Sequence, residues 1–275
     1  MLFMKKLTTR TDLADLTFII PVRIESIERL ENLQAATDYL LKHFRTRIFV
    51  LEAASRNNGF LKKCLSPEIE IFFVEDNDAI FHRTKYLNIL TRKVFTPFIA
   101  VWDSDVLVAQ DQIIAALDSL KQNTVDFIFP YDGMFLDTGP ENRNNFLRSG
   151  NLPLLESKIS TMFPLYGYHA SGGGFMANCT AYREVGMENE NFYGWGPEDG
   201  ERVKRWDILE LKANRVKGPM FHLSHPRGVN SGARTEEALK EGIEEYLRIC
   251  RMSKEELQNE ILLWHKDHFM EAQKQ

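Results

Sequence analysis

Four short apolar runs, interspersed with segments of helical spacing, constrain this chain more than any other feature. Residues 16–22 (LTFIIPV), 47–52 (RIFVLE), 69–74 (IEIFFV) and 97–102 (PFIAVW) are rich in β-branched and aromatic side chains, as strands buried on both faces are. Residues 25–44 and 81–95 carry helical spacing, and a helix over 111–121 followed by a strand over 126–130 continues the alternation. The pattern predicts an α/β fold with a largely parallel sheet. Such sheets bind ligands beyond the carboxyl ends of their strands. The polar residues there are Arg23 and Glu25, then Glu52, then Glu75, Asp76 and Asp78, then Asp103 and Asp105.

After residue 131 the pattern loosens into loop-rich sequence up to Gly174. It resumes with a helix near 178–185, a Gly/Trp-rich loop and a polar helix starting near Glu198. Two segments rich in Glu and Lys, 235–250 and 254–270, have amphipathic helical spacing. The expected organisation is a catalytic or binding domain over residues 1–230 with a C-terminal helical extension over 231–275.

Composition narrows the function. The chain has 275 residues and a formal charge of -5, with 34 Lys and Arg against 39 Asp and Glu. That balance argues against duplex nucleic acid as the main partner, which calls for a basic face. It leaves room for a nucleotide in a local pocket of two or three basic residues. Aromatic residues make up 11% of the chain, more than a disordered protein carries. No stretch approaches the ~20 apolar residues of a membrane span. The opening MLFMKKLTTR is too short in its apolar part for a secretory signal, so a cytoplasmic protein is expected. Cys64, Cys179 and Cys250 fit neither a disulfide framework nor a thiolate metal site.

Four groups of residues carry candidate chemistry. Asp103-Ser104-Asp105 ends a strongly apolar strand, and two carboxylates there suit a divalent cation. Asp76-Asn77-Asp78 has the same spacing, but a solvated turn accounts for it. Phe81, His82, Arg83 and Lys85 open a helix, where an anion is favoured. Gly172-Gly173-Gly174 allows close backbone approach to a ligand, and Asn191 to Asp199 (NFYGWGPED) puts aromatics beside paired acids. That combination suits a sugar, with a carboxylate as general base, although Glu198 and Asp199 also complement the dipole of the helix they open. His222-Leu223-Ser224-His225 offers imidazole. In a regular strand the two rings point to opposite sides, so only one would be a ligand.

The order of these parts resembles inverting, metal-dependent glycosyltransferases of the GT-A fold, in particular the β-1,4-galactosyltransferase and chondroitin-polymerase-like enzymes of glycosyltransferase families 2 and 7. The resemblance runs from about residue 18 to about residue 230. FIIPVR is similar to the first strand and nucleotide-binding turn, FHRTKYLN to the F-x-R-x-K-x-L-N segment, and WDSDV to the D-x-D motif. GGGF, YGWGPED and FHLSH resemble the G-G stretch, the W-G-W-G-x-E-D loop and the region of the late metal ligand.

The resemblance implies a GT-A fold with a mixed, mostly parallel sheet. Pro21, Val22, Arg23, Phe81, Arg83, Asp103 and Ser104 would contact the nucleotide. Asp105 would be the main carboxylate ligand of Mn²⁺, with Mg²⁺ as the alternative, Asp103 close by, and either His225 or His222 supplying imidazole. Gly173, Gly174, Trp195 and Glu198 would hold sugar and acceptor, and Asp199 would be the catalytic base. Tyr193 and Pro197 stand where the vertebrate galactosyltransferases carry Trp and Gly, and Glu25 replaces a basic residue near the nucleotide.

The implied activity is transfer of a hexose or N-acetylhexosamine, galactose or GalNAc favoured, from a UDP-sugar to a saccharide or lipid-linked saccharide. The membrane anchor and stem of the Golgi enzymes are missing, so the expectation is a bacterial enzyme of surface-glycan synthesis in the cytoplasm. Peripheral association with the inner face of the membrane is compatible with that. The competing readings are a non-catalytic nucleotide-sugar or glycan-binding module on the same fold, and a sugar-phosphate nucleotidyltransferase. The latter calls for a Gly-rich turn where this chain has PVRIES.

Overall fold

The computed structural model describes residues 9–272 apart from 168, 229, 231, 233 and 234, with side chains up to Trp264. Most of the opening decapeptide and the start and end of the expected extension therefore lie outside the described residues.

The predicted alternation forms the first half of the molecule. β1 (Thr11–Val22) leads into α1 (Ile27–His43), which starts where the Ser26 side chain accepts from the Arg29 backbone N–H. β2 (Phe44–Ala54), the short α2 (Phe60–Cys64), β3 (Glu70–Glu75), α3 (Arg83–Lys93) and β4 (Phe98–Trp102) follow. Every residue of β4 is buried, whereas β3 is only half-buried, as a central and an edge strand should be. Trp102 closes the core at the end of β4, edge-on to Phe18 with ring centroids 5.2 Å apart.

Beyond β4 come β5 (Val106–Leu107), α4 (Gln110–Lys121) and β6 (Phe127–Phe129). The expected loop contains more order than its sequence indicates: β7 (Phe135–Asp137), α5 (Gly139–Ser149), α6 (Leu152–Glu156), a 3-10 turn and β8 (Phe163–Pro164). Three-residue strands and a Pro- and Asn-rich helix are too short or too polar to print a period. β9 (Gly174–Asn178) also hid, because three glycines precede its apolar residues. α7 (Cys179–Glu184), α8 (Glu198–Ile208), β10 (Ala213–Arg215), β11 (Met220–His222), α9 (Glu236–Cys250) and α10 (Lys254–Ala272) complete the chain.

The main sheet has the order β10-β6-β9-β4-β1-β2-β3, with β9 antiparallel to both its neighbours and the other pairs parallel. A smaller sheet, β5-β11-β7-β8, stands beside it. The fold is thus α/β with a mixed, mostly parallel sheet and C-terminal helices. Those helices pack on the domain: Ile249, Leu257 and Ile261 form a small core with Ile208, Leu209 and Trp264. The three cysteines are free. No helix among the described residues is long and apolar enough to cross a membrane.

Candidate active site

A cleft opens over the carboxyl ends of β1 and β4, with the start of α8 on its far side. Pro21, Val22, Arg23, Phe81, Arg83, Asp103, Ser104 and Asp105 line one part of it; Gly173, Trp195, Glu198, Asp199, His222 and His225 line the rest. Of the sequence-predicted residues only Gly174 lies elsewhere. It is buried in β9, where an added Cβ would stand 2.8 Å from the Trp102 ring, so its lack of a side chain serves packing. Gly172 takes its place on the cleft wall.

On the β1 side, Arg23 is already engaged. It donates to Asp76, to the Asp78 carbonyl (2.7 Å) and to the Ala53 carbonyl (3.2 Å), and lies over the Phe81 ring. The second D-x-D is thereby accounted for: Asp76 also accepts from Tyr86, and Asp78 accepts from Tyr193 and from the Ile80 backbone. Arg83 is different. Its Nε and one Nη donate to Asp103 Oδ1 at 3.2 and 2.6 Å, while the other, Nη1, is buried and has no partner among the described residues. A buried donor left open beside a cleft is costly unless a ligand meets it.

Asp105 stands in the short turn between β4 and β5, and its backbone carbonyl accepts from Leu223 N–H at 2.7 Å, tying the residue after β11 to that turn. β11 ends at His222, so no ladder holds the chain from there to His225 in strand register. Both imidazoles therefore return to the same carboxylate, contrary to the expectation for a regular strand: Nε2 of His225 lies 3.2 Å and Nε2 of His222 3.8 Å from Asp105 Oδ2. Donor atoms of the three residues lie within 4.8 Å of one another. The remaining nitrogens face away. His225 Nδ1 is 2.9 Å from the Pro226 carbonyl, an outer partner of the kind that orients metal-bound histidines, whereas the buried His222 Nδ1, 3.7 Å from Asp137, has no hydrogen-bond partner among the described residues. Burial raises the Asp105 carboxyl, but the neighbouring imidazoles outweigh it and bring it down to about 2. One carboxylate and two imidazoles suit Mn²⁺ better than Ca²⁺. Asp103 points to Arg83 and is not part of this group.

On the opposite wall, Glu198 and Asp199 occupy the first turn of α8, favoured by the helix dipole. Arg202, one turn on, donates to Asp199 Oδ1 at 2.8 Å. The other oxygen, Oδ2, faces Gly172, where a Cβ would come within 2.8 Å. Glu198 is buried, and burial together with the Asp199 charge pushes its carboxyl up to about 8. Trp195 is 42% exposed on the loop before the helix, and Tyr166 is 46% exposed; both line the cleft.

Sequence reasoning missed Arg29, Tyr166, Arg227 and Asn230, which also line the cleft. Asn230 links the residues before α3 to those after β1, accepting from Phe81 N–H at 2.9 Å and donating to Glu25 at 2.5 Å. Arg227 had a usable signal, a basic residue two places after a candidate metal ligand; Tyr166 had none.

No protein family and no curated protein matches this sequence. Solved structures do. The catalytic domain of Drosophila β1,4-galactosyltransferase 7 with xylobiose is 17% identical over 74% of this chain and 64% of that one, with a TM-score of 0.46. A Pyrobaculum calidifontis mannosyltransferase with GDP-Man and Mn²⁺ is 17% identical over 80% of this chain and 59% of that one, at 0.48. Glucosyl-3-phosphoglycerate synthase of Mycobacterium tuberculosis, with Mn²⁺, UDP and phosphoglyceric acid, is 13% identical over 88% and 79%, at 0.51. The chain thus spans under two thirds of the galactosyltransferase structure and of the mannosyltransferase. The match to the synthase, covering most of both chains, identifies the architecture: this chain has the GT-A glycosyltransferase fold.

Proposed function

We infer that the protein is a metal-dependent inverting glycosyltransferase, moving a hexose or N-acetylhexosamine from a UDP-sugar to a saccharide acceptor. Galactose or GalNAc is the favoured sugar, and surface-glycan synthesis in a bacterium the favoured setting. The observation that carries this reading is the convergence of Asp105, His222 and His225 with Asp199 on one cleft. A cation site and a carboxylate base facing a common space are what a displacement at an anomeric carbon requires.

Asp105, His222 and His225 would hold Mn²⁺, which when bound offsets the charge developing on the departing diphosphate. The chain's own groups do the rest. Arg83, held by Asp103, presents its open Nη1 as a donor to an anionic group of the nucleotide. Phe81, Arg23 and the turn after Val22 form the wall against which the base and ribose rest. Trp195 offers an apolar face to a pyranose ring. Asp199 takes the acceptor hydroxyl proton at Oδ2 as that oxygen attacks. Glu198, neutral at pH 7 with its carboxyl near 8, donates a hydrogen bond to the acceptor without repelling Asp199.

Incubation with Mn²⁺ and a panel of UDP-sugars, with and without mono- and disaccharide acceptors, tests the reading. Release of UDP from one donor, accelerated by an acceptor, is expected. Tight binding of donor without turnover under any acceptor would establish the binding module instead.

A further inference from the structure

Behind the proposed base lies a buried charge pair that neither donor nor acceptor chemistry calls for. Arg202 and Glu188 are each about 1% exposed. Two bonds of 2.8 Å join them: Arg202 Nε to Glu188 Oε1 and Arg202 Nη2 to Glu188 Oε2. The same Nη2 donates to Asp199 Oδ1 at 2.8 Å. Glu188 is itself fixed from other elements. Tyr182 of α7 donates its hydroxyl to it at 2.7 Å, its backbone N–H reaches Asn88 of α3, and its carbonyl accepts from the Asn88 side chain. The guanidinium also lies over the Phe175 ring, 4.6 Å from its centroid.

We propose that Glu188 and Arg202 form a clamp that sets the rotamer of Asp199, holding Oδ1 from behind so that Oδ2 faces the acceptor across Gly172. Arg202 is a positioning residue, acting through Asp199, and the proposal rests on the reading of Asp199 as base. The two-bond fork with Glu188 fixes the plane of the Arg202 guanidinium, so the single bond from its Nη2 reaches Asp199 Oδ1 from a set direction. Orientation matters because misplacement of a reacting group by about 1 Å costs about a hundredfold in rate. A buried ion pair is an inefficient way to gain stability. A role in aligning a neighbouring group explains its place here.

Removing one partner alone strands a buried charge and endangers folding. The test therefore uses the double variant Glu188→Leu/Arg202→Met, which removes both charges, and the milder Arg202→Lys. Turnover is read as UDP release from UDP-galactose with Mn²⁺ and the best acceptor of a saccharide array, and donor binding by calorimetric titration of UDP with Mn²⁺. The double variant is expected to lose about a hundredfold in kcat with UDP affinity unchanged, and Arg202→Lys to recover part of that loss. A crystal structure of whichever variant folds should show the Asp199 carboxylate turned or divided between rotamers. Unchanged kcat, or Asp199 in its original single rotamer, overturns the clamp. Asp199→Asn separates the two ideas: if that variant still transfers sugar, the base assignment fails, whereas its inactivity beside a fully active double variant removes only the clamp.

Discussion

The two walls of the cleft are built on different principles. The proposed donor wall is made of residues at or near strand ends: Arg23 after β1, Asp103 after β4, Asp105 just before β5, His222 at the end of β11 and His225 three residues on. Their positions are set by sheet register, and a few bonds suffice to aim them. The proposed acceptor wall is carried by the loop between α7 and α8 and by the first turn of α8, and among the described residues no ladder fixes that loop. Side chains from distant elements hold it instead. Asn88 of α3 binds the Glu188 backbone at both its N–H and its carbonyl, Glu245 of α9 accepts from Asn189 and Asn191 at 2.6 and 3.0 Å, and Arg205 of α8 donates to the Val185 and Met187 carbonyls. A rigid donor wall and a braced acceptor wall predict different sensitivities to mutation.

The largest effect should come from the acceptor wall's own chemistry. Asp199→Asn is expected to lower kcat by about 10²–10⁴-fold, the contribution of a positioned general base, with UDP binding unchanged by titration. Gly172→Ala should follow. Its new Cβ would stand 2.8 Å from Asp199 Oδ2, displacing the base for a loss of about ten- to a hundredfold in kcat, while Mn²⁺ affinity measured by titration stays as it was.

A smaller effect tests the brace. Glu245→Ala releases Asn189 and Asn191 and removes one anchor of Arg248, which also binds Glu260. Acceptor KM should rise about three- to tenfold, from the loss of one or two hydrogen bonds, and donor KM should not move. If donor KM rose equally, the C-terminal helices would support the whole domain and not the acceptor loop alone.

A further effect, on stability and not on turnover, lies in pH. Glu198 keeps its proton in the folded protein up to about 8, against an ordinary value of 4.5. Between those values the folded state binds more protons than the unfolded one, so stability from this group declines as pH rises through that window. Denaturant titrations at pH 5 and pH 8.5 should show the decline, and Glu198→Gln should flatten it. An identical slope in the variant would mean that Glu198 is ionised in the folded protein.

The same contrast explains what the sequence disclosed. Part of the donor wall was legible because apolar runs announce strands and the polar residues after them follow, so Arg23, Asp103 and Asp105 could be named; Arg83 could be named as part of a helix N-terminus, and the two histidines through the resemblance. The choice between His222 and His225 could not be made, because the place where β11 ends is invisible in a short apolar run. β9 was hidden behind its glycines, and with it the reason for Gly174. Arg202 and Glu188 were opaque for a deeper reason: fourteen positions apart, in a helix and a loop, they meet only through tertiary packing, which no local period records.

The central claim is that one cleft holds a cation site and a base that can be separated by mutation. Calorimetric titration of UDP, with and without Mn²⁺, into Asp105→Ala and Asp199→Asn tests it most directly. Asp105→Ala is expected to lose the Mn²⁺-dependent part of UDP affinity, at least about ten- to a hundredfold, while Asp199→Asn binds UDP with Mn²⁺ as the unaltered protein does. Unchanged Mn²⁺-dependent affinity in Asp105→Ala would place the metal elsewhere and contradict the account.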